Sequence, residues 1–225
     1  MNSLLLATGK VLCAGAALLV CSGAGDAKKP MSFFVTSAGP GDGANLGGLA
    51  GADAHCAKLA KAAGSIKANW RAYLSTTQEP NGPAPVDARS RIGRGPWVNA
   101  AGVTIAKSIE DLHDSRNRML TKANFLTEKG AVVNGAGDTP NRHDILTGSD
   151  TAGRYLGPGI GADTTCGNWT KNGEGSAVVG HHDGKGPNGN RNFTSWNSAH
   201  ASSGCGQPML EKTGGSGLFY CFEAS

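Results

Sequence analysis

Along Asn69–Ser75 the chain alternates, with Trp70, Ala72 and Leu74 on one side and Arg71, Tyr73 and Ser75 on the other. That two-residue period predicts a half-buried β-strand. A different period governs residues 51–64, GADAHCAKLAKAAG, where Cys56, Leu59, Ala60 and Ala63 recur at i, i+3, i+4 and i+7. This stripe predicts a helix with Cys56 pointing inward. Asp53 stands where a cap or first-turn acid belongs, Lys58 and Lys61 flank the stripe, and Gly64 is suited to stop it. Short β-rich runs at FFVT (33–36), ILTGSD (145–150) and LFYCFE (218–223) predict further strands. The segment from Ser108 to Gly130 carries Ile109, Leu112, Met119 and Leu120 at an imperfect helical spacing and predicts one short helix or two. Between these elements, residues 77–102 and much of the chain after Gly130 are rich in turn-forming residues.

The first 27 residues follow another logic. MNSLLLATGK has Lys10 as its only charge, an apolar run follows, and small residues lie around Gly25 to Ala27. That order predicts a cleaved export leader, residues 1–27, ahead of a single domain over 28–225. The apolar run is too short for a transmembrane span. Leu-Leu-Val-Cys at Cys21 resembles a lipoprotein box, which makes lipid anchoring there the alternative to a free secreted or periplasmic end.

Composition narrows the class. With 35 Gly in 225 residues and 17% charged residues, the chain reads as loop-rich and globular. The net charge of +4 is mild, and nothing in it demands a nucleic-acid partner. Beyond the leader lie four cysteines, Cys56, Cys166, Cys205 and Cys221. An even count in an exported chain argues for two disulfides, and three pairings are open.

Candidate chemistry gathers in two places. The stretch from Gly180 to His200 holds His181, His182, Asp183, Asn188, Asn190, Asn192, Asn197 and His200, residue types that bind metals or sugar hydroxyls. Adjacent His181 and His182 would point opposite ways on a strand, so one of them at most joins a site with Asp183. No His-Glu-x-x-His spacing is present. The second place is basic: Arg89, Arg91 and Arg94, with Trp97 nearby, present guanidinium groups suited to anionic oxygens. Asn168-Trp-Thr and Asn192-Phe-Thr fit the glycosylation pattern. No Gly-x-Ser-x-Gly elbow or paired-carboxylate arrangement supports an enzyme.

Taken in order, GADAHCAKLAKAAG, WRAYLST, VDARSRIGRGPWVN, ILTGSDTAGRYLGPGIGADTTCGNWT, Cys205 and LFYCFE resemble the endostatin domain of collagens, a relative of the C-type lectin-like domain. The resemblance covers residues 32–223. It implies an α+β, loop-rich fold with a mostly antiparallel mixed sheet, one or two flanking helices and nested disulfides, Cys56–Cys221 and Cys166–Cys205. It also implies a binding module for a glycan or polyanionic polymer, with Arg89, Arg91 and Arg94 as candidate contacts; from the polar stretch itself His182, Asp183, Asn190, Trp196 and Asn197 are the further candidates. Trp196-Asn197-Ser198 is similar to the lectin Trp-Asn-Asp calcium motif, but Ser198 replaces the carboxylate, which weakens a calcium site. Glu79-Pro80-Asn81 copies a lectin sugar motif too early in the chain and reads as a turn. The zinc of collagen endostatins uses an N-terminal histidine cluster, and KKPMSFF stands there instead. The competing readings are a hydrolase of surface polymer using His181, His182 or Asp183, and a domain that binds another protein.

Overall fold

The computed structural model describes residues 30–79, 82–157, 163–186 and 193–225. In chain order the elements are β1 (Phe33–Val35), α1 (Gly48–Ala62), β2 (Trp70–Ala72), α2 (Ala88–Arg91), β3 (Trp97–Val98), β4 (Thr104–Ala106) and α3 (Ile109–Leu112). These are followed by β5 (Asp144–Leu146), α4 (Cys166–Trp169), β6 (Val178–His181), β7 (His200–Ala201), α5 (Gln207–Thr213) and β8 (Gly215–Glu223). The fold is mixed α+β with a mostly antiparallel sheet. No helix among the described residues is long and apolar enough to cross a membrane.

The last strand organises the sheet. The nine residues of β8 pair antiparallel with β1 and β2 and parallel with β5, and the sheet continues antiparallel through β6 to β7. Strand alternation divides its side chains between two cores. Phe219 and Cys221 meet Phe34, Trp70 and the α1 face of Ala52, Cys56 and Ala60. Leu218, Tyr220 and Phe222 meet Phe33, Val35, Tyr73, Trp97, Phe125 and Trp196. Small residues on the α1 stripe suit it to lying against the sheet, and two disulfides fasten the arrangement, Cys56 to Cys221 and Cys166 to Cys205. That is the nested pairing the resemblance implies. Cross-links closing loops of 165 and 39 residues restrict the unfolded chain by about 5 and 4 kcal/mol in the chain-entropy model.

Local expectations are met in part. β2 keeps the half-buried alternation, with Arg71 partly exposed between buried Trp70 and Ala72, but beyond it Tyr73 and Ser75 are as buried as Trp70. Tyr73 is covered by Trp196 and Phe222, whose rings lie 5.0 and 5.7 Å from its own. Asp53 is inside α1 rather than at its cap. Its carboxylate accepts the Ala72 N–H at 2.9 Å and pairs with Arg91 at 2.6 Å, tying helix to strand. The 108–130 segment gives one helical turn and then stops. Asp114 there accepts from the Arg116 backbone, and Asn117 donates to the Ile105 and Asp111 carbonyls. Such side-chain to backbone bonds compete with helix continuation.

Candidate metal centre

At the far end of the sheet the pleat gathers side chains from three strands. Asp144 opens β5 and pairs directly with His181, the last residue of β6. His200 on β7 pairs with Val179, two residues before His181. Directly paired residues and those two apart along a strand share a face, so the register alone puts Asp144, His181 and His200 on one side. His143 precedes β5, outside the strict alternation, and adds its ring to the same side. Gly214 makes room for it: this residue ends α5 at φ +99°, and an added Cβ would meet His143 Cδ2 at 3.0 Å.

Three imidazole nitrogens converge on one carboxylate oxygen. His143 Nε2 and His181 Nε2 each lie 3.2 Å from Asp144 Oδ1, and His200 Nε2 lies 3.5 Å from it. One ligand atom from each of His143, Asp144 and His181 falls within 4.8 Å of the others. The His143 and His181 rings stack at 4.1 Å. Close as they are, His181 Nε2 and both Asp144 oxygens have no hydrogen-bond partner. The atoms approach one another without an N–H aimed at an oxygen.

Backbone carbonyls fix which nitrogens carry protons. His181 Nδ1 lies 2.6 Å from the Phe193 carbonyl oxygen and His200 Nδ1 3.0 Å from that of Ala201. A carbonyl only accepts, so each Nδ1 is the N–H donor, and in the neutral ring Nε2 presents a lone pair. Those lone pairs face a carboxylate. The contact is repulsive unless the rings carry a second proton or a cation lies between them. The Phe193 contact depends on the 193–198 segment running close over β6. Gly180 permits that approach, since a Cβ there would lie 1.9 Å from the Trp196 carbonyl oxygen.

A second carboxylate stands behind the first. Asp183 Oδ1 is 3.5 Å from His143 Nδ1, while its oxygens also accept from the backbone N–H groups of Ala136 and Lys185. Burial pushes the Asp183 carboxyl up, but His143 and those N–H groups together hold it well below the aspartate range. Burial likewise raises Asp144, and it is the His181 and His200 rings, when they carry the second proton, that more than offset it. In return the Asp144 carboxylate raises His200 against the opposing effect of burial.

Of the adjacent histidines, His181 joins the cluster and His182 turns away. His182 Nε2 faces the Asn134 carbonyl at 3.0 Å, and burial lowers its pKa. Asp183 meets His143 rather than either of its neighbours in the sequence. The arginines serve different ends: Arg91 is bound to Asp53, Arg89 donates to the Ala152 carbonyl, and Arg94 is exposed. Trp196 packs among Tyr73, Phe125 and Tyr220. Asn197 is buried, its oxygen accepting from Ser195 and its NH2 donating to Tyr73 and the Asp150 carbonyl. The Asn168 side chain is engaged in the same way, with Thr77 and Thr165. Asn190, and with it Asn188 and Asn192, lies outside the described residues.

His143 and Asp144 escape a reading of the sequence by local spacing, because the strand pairing that brings them to His181 joins distant segments. The available signal was a charged residue at the head of an otherwise apolar strand. No protein-family model matches this chain and no curated protein is significantly similar to it, which leaves the side chains themselves as the guide to its chemistry.

Proposed function

We propose that this protein is an exported binding module built around a divalent transition-metal ion, with zinc the cation its donors suit. The carrying observation is the convergence of His143, His181 and His200 nitrogens on Asp144 at 3.2, 3.2 and 3.5 Å. Zinc holds imidazole and carboxylate at about 2.0–2.2 Å, and a tetrahedron of such bonds has edges of about 3.4 Å. The ligand atoms of His143, Asp144 and His181, all within 4.8 Å of one another, have the spacing of three corners of such a shell, and His200 approaches Asp144 from outside that group. Each remaining feature fits the same reading. The Nδ1 contacts orient the His181 and His200 rings, and the Asp183 carboxylate stands 3.5 Å behind His143 Nδ1, the place such a carboxylate takes behind a metal-bound imidazole. Asp144 supplies one anionic ligand, and Asp183 sets a second negative charge behind His143, outside the shell. Imidazole donors favour zinc over calcium, which prefers oxygen alone.

The rest of the sequence reading enters as part of the proposal. Two disulfides fit an oxidising compartment and therefore export. The nested pairing and the long final strand support an endostatin-like member of the C-type lectin-like fold. A glycan or polyanionic polymer stays as the proposed partner, with the metal a stronger anchor for it than a set of arginines of which one is bound to Asp53.

Elemental analysis of the oxidised protein after zinc loading and dialysis tests this reading. About one zinc per chain is expected, lost in His181→Ala, with both disulfides retained in each. Wild-type protein that holds no zinc while its disulfides are intact would overturn it, in favour of a cluster of protonated histidines.

A further inference from the structure

The four metal-facing side chains are not equivalent, and this inference rests on the metal reading above. Asp144 and His181 side chains are each 1% exposed and His143 is 10% exposed, whereas His200 is 24% exposed. His181 is held by the Phe193 carbonyl, and His143 is packed against His181, ring on ring at 4.1 Å, with Asp183 behind it. His200 stands on β7, a two-residue strand at the edge of the sheet that pairs with β6 alone. It also makes the longest approach to Asp144, 3.5 Å. Beside it opens a cavity of about 500 Å³, walled by Leu156, Val178 and Ala199 with the hydroxyl-bearing Thr164 and Ser198.

We propose that His200 is a displaceable fourth ligand, and that the cavity beside it admits a carboxylate that takes its place on the metal. His143, Asp144 and His181 form a three-ligand seat that holds the ion when His200 leaves. With Asp144 its one anionic ligand, the seated ion keeps a net positive charge toward the cavity. The cavity brings no lysine or arginine of its own. Asp163, the one carboxylate among the described residues of its wall, already accepts from the Gly167 N–H and lies 3.4 Å from Lys171. An anion entering there is therefore recognised by the metal. Apolar walls penalise the more strongly hydrated phosphate or sulfate, and a carboxylate occupies a single zinc position, as an imidazole does. Such a group is carried by small organic acids and by the uronic acid units of acidic polysaccharides.

Cobalt(II) reports the exchange, because its visible spectrum follows the number and kind of its ligands. Oxidised wild-type protein and His200→Ala are loaded with cobalt and titrated with acetate, with a uronic acid oligomer, with phosphate and with imidazole. The expected result has four parts. His200→Ala retains cobalt, more weakly than wild type. Imidazole restores the wild-type spectrum to it. Acetate shifts both spectra saturably, and at lower concentration in the variant, where no side chain competes. Phosphate acts only at higher concentration than acetate. An oligomer at least about tenfold tighter than acetate assigns the ligand to a polymer held at several points; parity with acetate assigns it to a free acid.

Loss of cobalt from His200→Ala as complete as from His181→Ala would overturn the proposal by making His200 a fixed structural ligand. A wild-type cobalt spectrum indifferent to acetate, or a preference for phosphate, would overturn it as well. Wild-type protein that takes up neither cobalt nor zinc would instead remove the metal reading on which it stands.

Discussion

The disulfide-braced core and the histidine corner lie in one sheet and are built on opposite principles. Around Cys56–Cys221 the buried polar groups are matched. Trp70 Nε1 donates to the Lys67 carbonyl, Trp169 Nε1 to that of Ser75, and Thr36 Oγ1 accepts from the Phe219 N–H. In the corner they are not. Of eight buried side-chain polar atoms without a hydrogen-bond partner among the described residues, three, His181 Nε2 and both Asp144 oxygens, meet at the centre of the cluster. Leaving such an atom unpartnered costs about 1–3 kcal/mol, more where charge is involved. A fold that satisfies its polar groups in one core and concentrates the exceptions in one corner has kept that corner for something else. A cation offsets the cost there, and the first core needs no ligand at all.

Breaking the braced core gives the largest effect. Cys56→Ser with Cys221→Ser should remove about 5 kcal/mol, a sum comparable to the whole stability of many domains. Urea denaturation with and without zinc checks this: saturating zinc should stabilise variant and wild type by the same amount, leaving the difference between them unchanged, because the corner lies apart from the α1–β8 bridge. Next comes metal loading. At free zinc a thousandfold above its dissociation constant, the wild-type protein should gain about 4 kcal/mol, read as a shift in thermal midpoint that EDTA reverses. His181→Ala should show no such shift while keeping its disulfides.

A smaller effect sharpens the comparison. Asp183→Asn keeps an oxygen for the Ala136 N–H but removes the charge behind His143. Zinc affinity should fall by about tenfold to a hundredfold in competition with a chelator, alongside a loss of stability in the metal-free protein, because the Lys185 N–H loses its carboxylate acceptor. The smallest expected effect tests the braced side by pH. Glu223 is raised by burial, yet Ser225 and Lys67 hold its carboxyl below the ordinary glutamate value, Lys67 at 2.9 Å. A folded-state value that is depressed contributes stability above the ordinary glutamate pKa of about 4.3 and loses it as pH falls through the folded value. Lys67→Met should therefore destabilise by about 1 kcal/mol or less at neutral pH. Urea curves for variant and wild type should draw together at acid pH.

The two regions also differ in how far the sequence discloses them. The inward Cys56 follows from four apolar positions on one helical face, and the strand at LFYCFE from its β-rich run, because both signals are local. The burial of Tyr73 is not local; it depends on Trp196 and Phe222 arriving from more than a hundred residues away. The corner is less legible still. The alternation rule correctly separates His181 from His182, but which of them faces the site depends on strand register. His143 and Asp144 become partners only when β5 pairs with β6. Trp196 and Asn197, conspicuous in a polar stretch, are drawn into the aromatic core by Tyr73 and Tyr220, a pull that no spacing along the chain reveals.

The central claim is that His143, Asp144 and His181 hold one metal ion. Anomalous diffraction from crystals of the zinc-loaded protein, recorded above and below the zinc absorption edge, tests it most directly. The account expects a single strong difference peak per chain, within about 2.0–2.2 Å of His143, His181 and Asp144 ligand atoms, with His200 completing the shell when no competing acid is present. Fully loaded crystals with no peak between these residues, or with the zinc seated elsewhere on the chain, would contradict it.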